Sequence, residues 1–462
     1  MIRPLRASPG LRPLRAADFA GDGPVSAEER QTASEFVVVS VLIFALPMFA
    51  QSVHYMNEIV PFYYFSKAWP LAVLPLTIYG LATLKLPGQA IYAVLLAYVA
   101  GLTPLLSMIH LGNGLIDAIA TTVKVWPFSY YIALSAFLAW LMPAPQLLRR
   151  VIIGWGSVTM VLLVLLWVFV PSSWYTTDPS QGKLFMYEIE RGYRIYMPMF
   201  FGTLLIFYLT RRALDLREWW AGAAAILCVA LLILIFKQRA AIAAVVLVMA
   251  IATFTSVPEQ VRHLGIAALA LLLAIAVVII AGPLAQSIAE GLGGSLWLRL
   301  ESLQKAIYYL GDNPIRWIFG VGGTTRFGTV TMADIFGTDQ FYLADIGWAG
   351  IVFEYGLLGA GLIAATYVAS FLITYRIARR SDDPLLKALS DYALYLLLTS
   401  AVYSLVYAPG EIGTVTALAL FLYAAKQADQ PILGSPNVAV AKSASKRLAV
   451  ITHVETHPKS NG

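Results

Sequence analysis

Charged residues are scarce in this sequence, and cysteine is almost absent. Only 13% of the 462 residues are charged, while 59% are hydrophobic and the mean hydropathy is +0.73. This balance excludes a soluble domain of ordinary composition. The one cysteine, Cys228, lies inside an apolar segment and leaves no disulfide to support an exported loop. The sequence therefore predicts an integral membrane protein.

Apolar segments of roughly 16–25 residues recur along the chain, each long enough for a helix to cross about 30 Å of hydrocarbon. Isolated spanning strands would leave backbone groups unpaired in lipid. We therefore predict an all-α polytopic membrane bundle of about 12 transmembrane helices. The predicted spans lie near 36–50, 68–84, 90–109, 125–142, 151–171, 195–210, 219–236, 240–256, 264–282, 347–374, 388–407 and 412–425.

Basic residues set the predicted orientation, because lysine and arginine collect in short cytoplasmic loops. The net charge of +6 is explained by this orientation and gives no indication of nucleic-acid binding. Residues 1–35 and 426–462 are predicted to be disordered cytoplasmic tails on either side of a membrane domain at 36–425. With the N-terminal tail inside, the predicted cytoplasmic loops contain Lys85, Arg149, Arg150, Arg211, Arg212, Arg217, Arg262, Arg376, Arg379 and Arg380.

Two longer loops, at 172–194 and 283–345, are then predicted to be exported. In the larger loop, SLWLRLESLQKAIYYLG has a helical apolar stripe and predicts a helix on the membrane surface. The following GDNPIRWIFGVGG breaks this helix with Asn-Pro and closely spaced glycines, which we interpret as turns. The stripe consists of Leu296, Leu300, Leu303, Ile307 and Leu310.

Several basic residues fall in the loops predicted to be exported, although basic residues normally collect on the cytoplasmic side. Their presence there needs another explanation. A guanidinium group matches phosphate oxygens two at a time, so a set of them at a membrane surface suits a lipid-linked diphosphate. The alternative is that each arginine pairs with a nearby carboxylate, such as Glu188 or Glu190, or with lipid headgroups. The candidate diphosphate-binding residues are Arg191, Arg194, Lys237, Arg239, Arg299 and Arg326.

Four segments carry a resemblance to a known family: KQRAAIAA, RLESLQKA, NPIRWIFGVGG and DIGWAGIVFEYGLLG. They resemble the O-antigen ligase and Wzy-type polysaccharide polymerase family over residues 190–375. The resemblance implies a metal-independent glycosyltransferase without a cofactor, which takes glycan from undecaprenyl diphosphate on the outer face of the bacterial inner membrane. It maps the family's phosphate-binding arginine to Arg239, and arginines of the smaller exported loop to Arg191 and Arg194.

The ligases of this family carry a histidine at the position that Asp345 occupies here. Glu354, Gly356 and Gly359 match the Glu-x-Gly-hydrophobic-x-Gly motif that follows, so the missing histidine counts against a ligase. A carboxylate can accept the proton of an attacking sugar hydroxyl. Asp345 is therefore predicted to be the base or a ligand of the acceptor hydroxyl, with Asp339 as the second candidate. Glu354 is predicted to be structural, bonded to another helix or to an arginine.

The predicted function is that of a polysaccharide polymerase, for exopolysaccharide or O-antigen, joining undecaprenyl-diphosphate-linked repeat units. Its partners would be the lipid-linked oligosaccharide, membrane lipid and a chain-length regulator protein. Two alternatives remain open: an O-antigen ligase, and a secondary transporter or flippase. Transporters concentrate charges near the bilayer midplane in two related halves, whereas here the charges gather at outer helix ends and the chain shows no internal repeat.

Overall fold

The described part of the protein is built almost wholly of helices. A computed structural model describes residues 27–53, 56, 58–177, 184–188, 192–256, 294–324, 330–337, 343–400 and 408–428, and it is 81% helical. Within these residues, five helical segments are long and apolar enough to cross a membrane: Gln89–Leu111, Pro145–Phe169, Trp219–Phe236, Arg239–Ser256 and Trp348–Arg379. These segments fit the predicted all-α membrane class.

The structure does not support the predicted count of about 12 spans, because several of the predicted spans are broken or short. The span predicted at 68–84 divides at Val73, immediately before a Leu-Pro pair, and proline interrupts helical hydrogen bonding. The span predicted at 125–142 begins as a 3-10 helix, Val123–Ser129. Those predicted at 195–210 and 388–407 form helices of 16 residues. The span predicted at 264–282 lies outside the described residues.

The helices are numbered here in chain order over the described residues. The first begins inside the segment predicted as a disordered tail. Their bounds are α1 Ala27–Phe49, α2 Val60–Ala72, α3 Leu74–Thr83, α4 Gln89–Ala97, α5 Thr103–Leu111, α6 Leu115–Thr122, α7 Tyr130–Leu141, α8 Pro145–Phe169, α9 Phe200–Asp215, α10 Trp219–Leu231, α11 Arg239–Ser256, α12 Gly294–Leu310, α13 Pro314–Phe319, α14 Met332–Phe336, α15 Trp348–Arg379, α16 Pro384–Thr399 and α17 Pro409–Ala428.

The chain also contains a small β-hairpin that was not predicted. Strands β1, Phe185–Glu188, and β2, Gly192–Ile195, pair antiparallel with Glu188 opposite Gly192. The hairpin lies in the smaller of the two predicted exported loops. Because side chains alternate along a strand, it presents two chemically different faces.

The helix predicted in the larger loop is present as α12, and the predicted break after it is also found. Asn313 caps α13 by accepting a hydrogen bond from the Ile315 amide at 3.0 Å. Of the predicted apolar stripe, Leu310 is buried, whereas Leu300 and Ile307 are half exposed. The stripe as a whole is therefore not packed into the core.

Ion pairs join the helices at one end of the bundle, which we call the Arg211 end. Arg211 donates two hydrogen bonds to the Asp391 carboxylate, at 2.6 and 2.7 Å. Lys387 pairs with Asp215 at 2.9 Å, and Arg149 pairs with Asp383. Three loops predicted to be cytoplasmic therefore meet here. The opposite end of α9 and α10 carries the hairpin and Lys237, and we call it the Lys237 end.

Candidate functional site

A tight cationic turn joins α10 to α11 at the Lys237 end. A π-helical turn, Leu232–Phe236, ends at Lys237, which adopts the left-handed conformation with φ 56° and ψ 22°. Non-glycine residues seldom take this conformation, and here it reverses the chain within two residues. Arg239 opens α11, and its side chain is exposed. The turn thus holds two cations close together at a helix end.

The hairpin packs directly against this turn. The Tyr196 ring stacks on the Phe236 ring with centroids 6.0 Å apart and planes within 9° of parallel. Gly192 has φ +65°, and a Cβ atom added to it would lie 3.9 Å from Lys237 Nζ. The structure therefore brings together the smaller predicted exported loop and the cationic turn, which are about 45 residues apart along the chain.

Arg194 lies on the hairpin but is already paired. Its guanidinium group contacts the Glu188 carboxylate at 2.5 Å and donates to the Met186 sulfur at 3.3 Å. The side chain is 10% exposed and lies 5.7 Å from the centre of the Tyr196 ring. Of the two readings that the sequence left open for this arginine, the structure shows the carboxylate pair.

The remaining candidates are described only in part. Asp345 belongs to a 3-10 turn, Leu343–Ile346, that leads into α15, and Arg299 belongs to α12; both are described by their backbone. The turn does place Asp345 where the predicted exported loop enters a membrane-length helix. Arg191, Arg326 and Asp339 lie outside the described residues.

Among the described side chains near this loop, Glu354 is the most fully bonded carboxylate. It is 1% exposed, and Lys124 Nζ contacts its two oxygens at 2.6 and 2.7 Å. The Thr324 amide and hydroxyl also donate to Glu354 Oε1, at 3.0 and 2.9 Å. The predicted structural role of Glu354 thus has a physical basis, although its cationic partner is a lysine rather than an arginine.

A break in α15 lets the loop reach Glu354. Gly356 interrupts the helix with φ 65° and ψ −179°, a conformation essentially restricted to glycine. Residues 320–324 lie along this break as an extended segment, which we call the GVGGT strap. Val321 N donates to Phe353 O at 2.9 Å, and Gly322 N donates to Glu354 O at 3.0 Å. Unwinding the helix exposes the backbone groups that the strap uses.

The strap is also fixed from its other side, by α5 and the turn that follows it. Ser107 donates a hydrogen bond to Gly323 O at 3.0 Å, and Asn113 donates to the Ser107 hydroxyl at 2.7 Å. A Cβ atom on Gly322 would lie 2.3 Å from the Ser107 amide nitrogen, so only glycine fits there. The GVGG glycines, interpreted from sequence as turns, therefore serve a close approach between two backbones.

Sequence reasoning missed Lys124 as part of this region. A lone lysine in the apolar stretch ATTVKVWP was the available signal, because an isolated charge at an apolar helix end requires a partner. Among the described residues, no group of three or more His, Cys, Asp or Glu side chains could hold a metal ion.

No protein-family model matches the chain, and no curated protein matches it.

Proposed function

We propose that the protein is a polysaccharide polymerase that joins undecaprenyl-diphosphate-linked repeat units at the Lys237 end of the bundle, which would face the exported side of a bacterial inner membrane. The observation that carries the proposal is the contact between the cationic turn and the hairpin. Lys237 lies beside Gly192 of the hairpin, and Arg239 follows it two residues later at the start of α11, so a diphosphate group at the membrane surface could meet both.

The two cations suit this substrate by their chemistry. Diphosphate departs as a stable anion and does not have to be protonated first. Glycosyl transfer therefore depends more on positive groups that stabilise the departing oxygens than on a general acid. The exposed guanidinium of Arg239 can donate two parallel hydrogen bonds, and the ammonium of Lys237 can act as a point charge. Arg194 already pairs with Glu188, so the diphosphate assignment rests on the exposed Arg239, with Lys237 as its neighbour in the turn.

Asp345 remains our proposed acceptor-side residue. Its 3-10 turn immediately precedes α15, and the Lys124–Glu354 pair holds the start of that helix through the GVGGT strap. A carboxylate at such an anchored position could accept the proton of a sugar hydroxyl as the new glycosidic bond forms. The aspartate in place of histidine favours the polymerase over the ligase, which is the second candidate.

Replacing Arg239 with alanine tests the diphosphate assignment directly. Hydrogen bonds to charged groups contribute about 1.5–3 kcal/mol, so we expect undecaprenyl diphosphate to bind roughly ten- to a hundredfold more weakly. Binding would be measured by native mass spectrometry on the protein in lipid nanodiscs. Arg150→Ala, at an exposed arginine of the Arg211 end, is the matched control and should bind as the wild type does.

The same variants separate the enzymatic alternatives in a producing bacterium. Arg239→Ala should leave single lipid-linked repeat units unpolymerised, whereas Arg150→Ala should give polymer of normal length. Accumulation of long chains on the carrier lipid would instead indicate a ligase. Undiminished undecaprenyl diphosphate binding by Arg239→Ala would refute the role of the turn.

A further inference from the structure

An open cleft lies at the Lys237 end, on the side of the hairpin away from the cationic turn. Its volume is about 440 Å³, and three kinds of groups line it: aromatic rings, hydroxyl groups and one carboxylate. We call it the Trp174 cleft. Its lining residues are Glu58, Ser173, Trp174, Tyr175, Thr176, Thr177 and Phe185.

Backbone hydrogen bonds fix the walls of the cleft. Thr176 N donates to Phe185 O at 3.1 Å, and Tyr187 N donates to Thr176 O at 2.9 Å, so residues 175–177 extend the hairpin sideways. Glu58 accepts a hydrogen bond from the Leu184 amide at 2.6 Å and ties the α1–α2 connection to the same wall. The cleft is therefore built by three chain segments, not by one loop.

Aromatic rings form a continuous row along this side. Trp174 and Tyr175 lie 6.2 and 5.6 Å from Phe185, measured between ring centroids. Tyr193 lies 4.9 Å from both Tyr175 and Tyr187. Trp174 is nevertheless 64% exposed, so its indole offers a large open face beside the hydroxyl groups.

The register of the hairpin places this row opposite the cations. Phe185, Tyr187 and Tyr193 project from one face, whereas Glu188 and Arg194 project from the other, next to Lys237. A ligand whose phosphate lies at the cationic turn would thus find aromatic and hydroxyl groups around the edge of a single hairpin.

We propose that the Trp174 cleft binds the sugar residues of the lipid-linked glycan, an inference that rests on the proposed function and adds a glycan subsite to it. The C–H face of a pyranose ring packs on an aromatic face, and its hydroxyl groups can pair with Ser173, Thr177 and Glu58. The cleft is open and has both aromatic and polar lining. It therefore suits a glycan that must move along the site after each repeat unit is added.

A lipid headgroup fits the same lining less well. Tryptophan and tyrosine are common at membrane interfaces, and an exposed Trp174 alone would be consistent with anchoring in the bilayer. The Glu58 carboxylate repels lipid phosphate, however, and the lining residues within the described part of the chain include no cation. Its hydroxyl groups are suited to a neutral polyol.

An array of bacterial surface-polysaccharide fragments, probed with the full chain in nanodiscs, tests the proposal. We expect the wild type to bind at least one glycan and Trp174→Ala to lose at least tenfold of that signal. Trp174→Phe should retain part of it, because an aromatic face remains. Trp167→Ala is the matched control, since Trp167 is 54% exposed near the end of α8 and lies outside the cleft.

Parallel binding of undecaprenyl diphosphate separates the two proposals. Glycan binding that depends on Trp174, without any binding of undecaprenyl diphosphate, would support the cleft and refute the diphosphate site. Undecaprenyl diphosphate binding without any glycan signal would refute the cleft alone. An equal loss in Trp167→Ala and Trp174→Ala would show that both residues anchor the protein in lipid, and would also overturn the cleft.

Discussion

Replacing Glu354 with alanine is expected to lower the free energy of unfolding by about 3–5 kcal/mol, the usual cost of removing one partner from a buried ion pair. Lys124 is only 15% exposed and would keep its charge without the carboxylate that neutralises it. The Thr324 amide and hydroxyl would lose their acceptor at the same time. Thermal unfolding in detergent would measure the loss of stability.

Two further variants give this prediction its controls. Glu301→Ala removes the partner of Lys305 in an ion pair on α12 whose side chains are 33% and 40% exposed, and it should cost at most about 0.5 kcal/mol. A double variant, Lys124→Met with Glu354→Met, should recover much of the stability, because both charges of this pair are removed together. A change below about 1 kcal/mol in Glu354→Ala would contradict the description of this pair as buried and fully bonded.

The pair has a consequence for the larger predicted exported loop. Through Thr324 and the backbone of Glu354, it holds the GVGGT strap against the break in α15. Glu354→Ala should therefore speed amide hydrogen exchange at Val321 and Gly322, and it should do so more than at the residues of α13 or α15. Asp345, which we place on the acceptor side of the reaction, lies just before this anchored helix.

The sequence predicted the parts of this protein that depend on local pattern. Hydropathy indicated the helical membrane class, and the three-residue KQR segment indicated a tight cationic turn. The Asn-Pro pair marked the end of α12 correctly. In each case the physical cause lies within a few residues, so a single sequence contains it.

Contacts between distant segments could not be predicted in the same way. Nothing near Lys124 indicates that its partner is 230 residues away, and nothing in the smaller loop marks the pairing of Phe185 with Ile195. The predicted count of about 12 spans failed for a related reason: hydropathy measures how apolar a segment is, but not whether one continuous helix crosses it. The break at Gly356 involves packing partners elsewhere in the chain, Ile318 and Gly320.

Gly356 also gives a physical meaning to the Glu-x-Gly-hydrophobic-x-Gly pattern in this chain. Glu354 holds the strap, Gly356 breaks the helix to receive it, and Gly359 lies against the Tyr98 ring, where an added Cβ would come within 2.7 Å. Tyr98 in turn donates to Tyr355 O at 2.7 Å and to Phe319 O at 3.0 Å. The pattern specifies how a loop docks onto a broken helix.

Replacing Gly356 with alanine is therefore expected to destabilise the protein by about 2–6 kcal/mol, the sum of backbone strain and overpacking. The new Cβ would lie 2.3 Å from Ile318 O and 2.5 Å from Gly320 N, and these backbone atoms cannot move aside as a flexible side chain could. Differential scanning fluorimetry in detergent would measure the shift in unfolding temperature.

Gly361, five residues further along α15, is the matched control for Gly356. A Cβ there meets nothing within 4 Å, so Gly361→Ala should stabilise the helix by about 0.5–1 kcal/mol. Gly356→Ala should also speed amide exchange at Val321 and Gly322, as Glu354→Ala does, because both substitutions release the same strap. If Gly356→Ala and Gly361→Ala proved equally stable, α15 would have to run through position 356 as a regular helix. The strap would then have no break to dock against.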